Sequence, residues 1–429
     1  MSMDAPTKAR VLNRNRPAEV PQSQRGDRQI VLSMTREQFD QSWSDATKMR
    51  ELVDDTMAKN PELFPPCLLN GYVFHGFGRP SRKLDGIRLR KIRPSGQNEA
   101  YHLRPSFVVS YMVGTTDELE YPLLLASFGV PYWVLALGFG HSEMYWHRVV
   151  ERIGRNSLVG TTVRDPKQLP EHLAADEHHV DWNGVKGYVA TTAAAGCILG
   201  ISLTKMADAE HLTAAYGQFA AEVQAVDPEY TPKTVNVDGW AATQNAFKAC
   251  FSGIVVILCF LHGFLKIRDR CRNRELHKRV WEVYWAKTGT EFRSRMAAFR
   301  AWFEVQTWTK SVREMAEKLW NRTEDYVLAY DHPGCRRTSN AVDRPMNRIC
   351  RLLYAGRGLH GHQASSERRL RGWALLLNFR PFAKRSGHEQ NEQSQAHRLN
   401  GKRYSESWLE NLQVSASLMG RQNHTPAIR

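Results

Sequence analysis

Three aspartates carry the chemistry that this sequence makes available. Asp238 closes the β-branched run Thr234-Val235-Asn236-Val237 and is followed by Gly239-Trp240. Asp176 stands beside Glu177 in the strand-like stretch 171–177, and Asp343 follows Arg336-Arg337-Thr338-Ser339-Asn340-Ala341-Val342. Carboxylates converging at one sheet edge repel each other unless cations sit between them. Hard divalent ions take oxygen ligands and keep positions open for water and phosphate. Two such ions about 3.5–4 Å apart stabilise the attacking and leaving oxygens of an in-line displacement at phosphorus.

Whether the three acids meet depends on the elements that carry them. Residues 186–193 and 197–203 read as strands joined by a turn at Gly196, residues 207–226 and 241–250 as helices, and Ile254-Val255-Val256-Ile257-Leu258-Cys259 as a strand buried on both faces. The order is three strands, a helix, the strand ending at Asp238, a helix and the buried strand, which is the order of an RNase H-like mixed sheet. In such a sheet the first and fourth strands are neighbours, and a third acid comes from a later helix. Side chains alternate along a strand, so only one of Asp176 and Glu177 faces the site, and Asp181 is a further competitor. Asp238 before Gly-Trp is also a common turn residue. For the third acid, Glu324 and Asp331 are substitutes for Asp343. Asn340-x-x-Asp343 also reads as a capping box, and Pro345 argues for a later helix start or a kink.

In this order Asp176-Glu177, Val237-Asp238-Gly239-Trp240, Cys259-Phe260-Leu261-His262, Thr338-Ser339-Asn340-x-x-Asp343 and Asn378-Phe379-x-Pro381 make the chain resemble the DDE/D transposases of bacterial insertion sequences, over roughly residues 170–380. The resemblance implies an RNase H-like catalytic domain in two parts, 166–265 and 335–382, interrupted by an all-helical insertion at 266–334 that helps hold transposon DNA. It implies two Mg²⁺ ions, with Mn²⁺ able to substitute. Asp176 would bridge them, while Asp238 and Asp343 each complete one. Cys259 and His262 would support the site, although a buried cysteine beside a hydrogen-bonded histidine is the plain alternative. The implied activity is binding of transposon ends, cleavage and strand transfer to target DNA, by a protein that self-associates on DNA in the bacterial nucleoid of the cytoplasm. A related nuclease that does not join strands, and a non-catalytic DNA-binding descendant, are the rival readings.

Composition agrees with a nucleic-acid partner. The 429 residues suit two to three domains, and 59 Lys plus Arg against 44 Asp plus Glu leave a net charge of +15, the sign that attracts polyanions and releases their counterions. Seven cysteines without a CxxC pair fit neither a disulfide framework nor a four-cysteine zinc site, which points to a reducing cytoplasm. The N-terminus lacks the apolar core of a secretory signal. Residues 121–140 are uncharged, but Pro122, Gly129, Pro131, Gly138 and Gly140 cut them into short pieces and no membrane span is expected.

The remaining chain divides around this core into an α+β and α/β multidomain arrangement. Residues 1–28 are a polar basic arm, expected to be disordered. Residues 29–165 are expected to form an N-terminal DNA-binding region. It has a helix over 35–59 and a strand over 87–93 whose alternation sets Arg88 and Arg90 on one face, toward a DNA backbone or simply toward solvent. Helices over 117–128, 131–137 and 142–153 follow, and 131–154 reads as a helix-turn-helix presenting Arg148 and Arg152, or as an ordinary helical bundle. Arg336, Arg337, Arg344 and Arg348 flank the third acid and are expected to hold DNA phosphates. Trp281, Trp285, Trp302, Trp308 and Trp320 of the insertion serve core packing or base contact. Residues 383–429 read as a polar, mostly disordered tail with a short helix near 407–412.

Overall fold

The computed structural model describes residues 28–383 and 392–421, so the basic arm, apart from Arg28, lies outside the described residues. The chain is mixed α/β with two mixed sheets. Among the described residues no helix is long and apolar enough to cross a membrane.

The N-terminal sheet has strands β1 (Gln29–Leu32), β2 (Tyr72–Phe77), β3 (Arg90–Pro94) and β4 (Tyr101–Pro105) in the order β1-β4-β3-β2; β1 pairs with β4 in parallel and the other pairs are antiparallel. The single helix expected over 35–59 is two, α1 (Arg36–Ser42) and α2 (Ala46–Lys59). Thr35 and Gln38 form a capping box for α1, and Asp45 caps α2 by accepting from Thr47 and Lys48. A short α3 (Pro66–Leu69) precedes β2. The arginine face expected over 87–93 does not form. Arg90 is buried, donates to the Trp43 carbonyl and lies 4.2 Å from the Phe74 ring centre. Arg88 precedes the strand and donates through Nε to the Gly78 carbonyl at 3.1 Å. The reason lies in the packing: Arg90 shares its face with the buried Ile92, and the carbonyl end of α1, brought in from a distant segment, takes its charge.

Helices α4 (Thr116–Ser127), α5 (Tyr132–Phe139), α6 (Glu143–Ile153) and α7 (Leu158–Thr162) lead to the larger sheet, so the uncharged stretch is two short helices. That sheet comprises β5 (His172–Trp182), β6 (Val185–Ala194), β7 (Cys197–Thr204), β8 (Thr234–Val237) and β9 (Val255–Leu258), ordered β7-β6-β5-β8-β9. The β5, β6 and β7 strands form an antiparallel meander, while β8 and β9 add in parallel after α8 (Ala209–Val226) and α9 (Ala241–Cys250). Parallel neighbours need such crossovers. Five further helices, α10 (Phe260–Arg268), α11 (Arg274–Tyr284), α12 (Gly289–Glu304), α13 (Lys310–Trp320) and α14 (Thr323–Val327), share a continuous core with the α8–α9 face of the sheet. Trp281, Trp302, Trp308 and Trp320 pack in that core, whereas Trp285 is exposed. The opposite face is covered by α15 (Asn340–Ala355) and α16 (Gln363–Phe379).

Residues 392–421 overturn the expectation of a mostly disordered tail. Helices α17 (Gln395–Asn400) and α18 (Trp408–Ser415) are folded, and Trp408, Leu409, Leu412, Val414 and Leu418 are buried. The polar composition misleads because its polar groups are satisfied internally: buried Gln413 accepts from the Arg104 guanidinium and from the Ser110 backbone, each at 3.1 Å. Asn378 plays the same part on edge strand β7, accepting from the Ile198 N–H at 2.9 Å and donating to its carbonyl at 2.8 Å.

Helices α6 and α16 cross at two glycines. A Cβ on Gly154 would lie 1.7 Å from the Arg368 carbonyl oxygen, and one on Gly372 would lie 2.2 Å from that of Val150. Gly372→Ala is therefore expected to lower stability by about 1–3 kcal/mol or more, because backbone cannot yield as a side-chain tip can. Gly217→Ala, where a Cβ meets nothing within 4 Å, is expected to raise it by about 0.5–1 kcal/mol. Thermal denaturation of the two variants checks both signs.

Candidate active site

Strand β5 separates two carboxylates. Leu173 and Ala175 belong to the core on the α8–α9 side, whereas Ala174 packs with Ala193 and with Val342 of α15 on the other. Asp176 continues the Ala174 face and Glu177 the opposite one. Glu177 accordingly accepts from the Tyr216 hydroxyl at 2.5 Å and from Thr243 at 2.7 Å. Asp176 pairs across the strand with Thr191, whose hydroxyl lies 3.8 Å from the Met346 sulfur of α15.

Asp238 follows Val237 at the end of β8, the parallel neighbour of β5. Val235 and Val237 point into the α8–α9 core, so Asp238 falls on the same face as Asn236, which pairs with Ala174. One of its oxygens accepts from the Trp240 N–H at 2.7 Å, an Asx turn that leaves the Trp240 ring half exposed. Burial, then the Glu177 charge, and less strongly Asp238, push the Asp176 carboxyl up to about 7. Burial also raises Glu177, against the opposing pull of its Tyr216 and Thr243 donors.

Asp343 sits in the first turn of α15, which begins at Asn340 and runs through Pro345. The capping box read from Asn340 and Asp343 is not made. Ser339 is the cap residue, and its hydroxyl reaches both Asp343 oxygens, at 3.2 and 3.1 Å. Ser339 is also tied to the end of β9: its N–H donates to the Cys259 sulfur at 3.1 Å, and the Cys259 thiol donates to its hydroxyl at 3.3 Å. The preceding loop is strapped to the same edge by Asn236 to the Arg336 carbonyl at 2.9 Å and by the Phe260 N–H to the Arg337 carbonyl at 3.2 Å. His262 lies one turn into α10. The Cys259 thiol first, then the Asp176 and Asp238 charges, hold its ring up to about 9 despite burial, and its Nδ1 is buried without a hydrogen-bond partner. Burial pushes the Cys259 thiol up, but His262 and Ser339 outweigh it and the net shift is downward.

The remaining sequence candidates divide. Glu324 is paired with Arg293 of α12 at 2.7 Å, which accounts for its charge away from these acids. Arg337 packs 4.6 Å from the Tyr284 ring centre and donates to the Tyr284 and Ala286 carbonyls, so its guanidinium is used in joining the loop to α11. Arg336 and Arg344 are exposed and Arg348 half-buried, with no carboxylate paired to any of them among the described residues. Arg351 joins this group, unforeseen from sequence; Arg380 lies near it but is engaged, donating to the Ser127 carbonyl at 2.6 Å and lying 4.1 Å from the Phe128 ring centre. Burial lowers Arg348, and its neighbours Arg344 and Arg351 lower it further; Arg380 falls to about 10 through burial and the charges of Arg348 and Arg351. The spacing 344, 348, 351 is a helical signal for one face, whereas Arg380 arrives from another helix. On α6, Arg148 is exposed and Arg152 lies over the Tyr111 ring at 5.9 Å, while Glu151 bonds Arg368 of α16.

Among the described residues no three His, Cys, Asp or Glu side chains are already gathered as a metal-ligand set. The donors nevertheless suit a hard cation: Asp176 and Asp238 supply oxygen only, and the raised Asp176 carboxyl is one whose ionised form a divalent ion would favour. Neither a family model nor any curated protein matches this chain.

The raised Asp176 carboxyl sets a sign for stability. The folded state binds its proton more tightly than the unfolded chain, so without metal this contribution is fully present below about pH 4 and is lost as pH rises to about 7. Asp176→Asn is expected to remove that fall and to stabilise the metal-free protein at pH 8 by on the order of 1–4 kcal/mol. Thermal denaturation between pH 5 and pH 8 in chelator (about the window set by the linkage) reads it; a wild-type curve parallel to that of the variant contradicts the assignment.

Proposed function

We propose that this chain is a metal-dependent polynucleotidyl transferase of the DDE/D transposase kind, with an RNase H-like catalytic sheet. The observation that carries the reading is the placement of Asp176 and Asp238 on one face of adjacent parallel strands, with α15, whose first turn carries Asp343, packed on that face through Val342, Ala174 and Ala193. The strand order and the late helix bearing the third acid support it. So does the unpaired arginine group that starts beside Asp343.

In this reading Asp176, Asp238 and Asp343 hold Mg²⁺ through carboxylate oxygens. When bound there, the ions polarise the phosphodiester and lower the cost of forming the attacking hydroxide or 3′-hydroxyl nucleophile. The chain's own residues do the rest. Arg344, Arg348 and Arg351 supply positive charge along one face of α15 for the DNA backbone, relieving their mutual repulsion as phosphates replace it. The Cys259–Ser339–Asp343 contacts fix the third carboxylate relative to the end of β9. His262 places a protonated ring near Asp176 and Asp238 and limits their repulsion before metal binds. Helices α5 and α6 would act as a helix-turn-helix with Arg148 outward, on a protein that pairs DNA ends as an oligomer in the cytoplasm.

The test is a plasmid carrying the DNA that flanks the gene, incubated with purified protein and Mg²⁺ or Mn²⁺. Strand breaks and joined products mapping to the flanks are expected. Asp238→Asn and Asp176→Asn should each lower them by at least about a hundredfold, since each removes a group acting in the chemical step. Breaks without joining identify a nuclease. Binding without breaks under either metal refutes the catalytic reading.

A further inference from the structure

A second concentration of positive charge lies on the other side of Asp238 from α15. A groove of about 230 Å³ lies between α10 and α13, lined by Gly239, His262, Lys266, Lys318 and Arg322 among others. Its lining contains no carboxylate. Lys266 stands one helical turn after His262 on α10, roughly 6 Å along it, whereas Lys318 lies in the last turn of α13 and Arg322 just beyond its end, at the start of α14. None of Lys266, Lys318 and Arg322 has an ion-pair partner among the described residues, although most exposed arginines of the neighbouring helices do, among them Arg279, Arg293, Arg295 and Arg300.

Two glycines build the groove. A Cβ on Gly263 would lie 2.7 Å from Leu319 and 2.9 Å from the Tyr326 hydroxyl, so the missing side chain lets α10 and α13 close at its floor. A Cβ on Gly239 would lie 2.5 Å from the Arg322 Nη1. The guanidinium therefore rests directly over the residue after Asp238. An arginine with no ion-pair partner among the described residues, beside Gly239 and in one groove with two lysines and His262, suits an anion with several acceptor oxygens.

We propose that this groove is a subsite for a backbone phosphate of the nucleic-acid strand lying next to Asp238, with Arg322 as the positioning residue and Lys318 and Lys266 completing its charge. This rests on the reading of the acids as a phosphodiester-processing site, and it assigns α10–α14 a defined contact with the substrate. Arg322 does not touch the reacting atoms; it sets where the strand lies relative to Asp238.

The experiment measures binding of the full-length protein to a labelled DNA duplex in chelator, as a function of salt, so that metal and turnover play no part. Each phosphate contact contributes about 0.9 to the slope of log K against log salt. Arg322→Ala and Lys318→Ala are each expected to reduce the slope by about one and the double variant by about two. Lys310→Ala, at the far and exposed end of α13, should leave it unchanged. Arg322→Lys should keep the slope and, with Mg²⁺ or Mn²⁺, lower nicking through loss of the bidentate grip. Inorganic phosphate at millimolar concentration should not displace the duplex; if it does so in the wild type but not in Arg322→Ala, the groove binds free phosphate and the backbone assignment fails. Unchanged slopes in folded Arg322→Ala and Lys318→Ala overturn the proposal. Reduced slopes in a protein that never cuts uphold the subsite while refuting the catalytic reading.

Discussion

The first half of strand β5 is covered on both faces, and its two-residue period imposes the rest of the architecture. One set of side chains belongs to the core of α8, α9 and the helices that follow β9; the other is covered by α15 and α16. Two adjacent acids on such a strand cannot share an environment. Glu177 is absorbed by Tyr216 and Thr243 as a buried, hydrogen-bonded group. Asp176 is left with a charge that nothing adjacent fully balances. Placing Asp238 on the neighbouring parallel strand adds to that imbalance rather than relieving it.

The second constraint is the strap that carries the chain from α14 back to the sheet. Its backbone is pinned to Asn236 and Phe260, Arg337 is clamped against Tyr284 and Tyr330, and Ser339 is held from Cys259. These contacts determine where α15 begins, and hence where Asp343 and the arginine face point. Small residues at Ala174 and Ala193 give that helix its seat. Cys259 and His262 thus join β9, α10 and α15 mechanically, and the same pair places positive charge next to the acids.

Charge on the outside is distributed by the same elements. Most lysines and arginines of α11 and α12 are matched at one-turn spacing by glutamates, which holds them as surface ion pairs of small net worth. Among the described residues, Arg344, Arg348 and Arg351 on α15, and Lys266, Lys318 and Arg322 in the groove between α10 and α13, have no such partner.

The sequence alone determined the element order from β5 to β9, the two candidate acids on β5 and β8, and the late helix with the third, because strand alternation and β-branched or apolar runs are local signals. It also carried the opposition of Asp176 and Glu177, since that follows from period two. It did not determine the fate of single arginines. Arg90 and Arg337 sit in basic stretches like Arg344 and Arg348, yet the first two are consumed by backbone carbonyls and aromatic rings that come from distant segments. Beyond the short helix near 407–412, it did not determine that the rest of 395–421 folds, because Gln413 and Asn411 look solvated until Arg104, Ser110 and Tyr404 are brought beside them. Arg322 over Gly239 was likewise invisible, being a contact across 83 residues (322 − 239) that only the docking of α13 on α10 creates. Periodicity is written in neighbours along the chain; the pairing of a charge is decided by whichever segment packs against it.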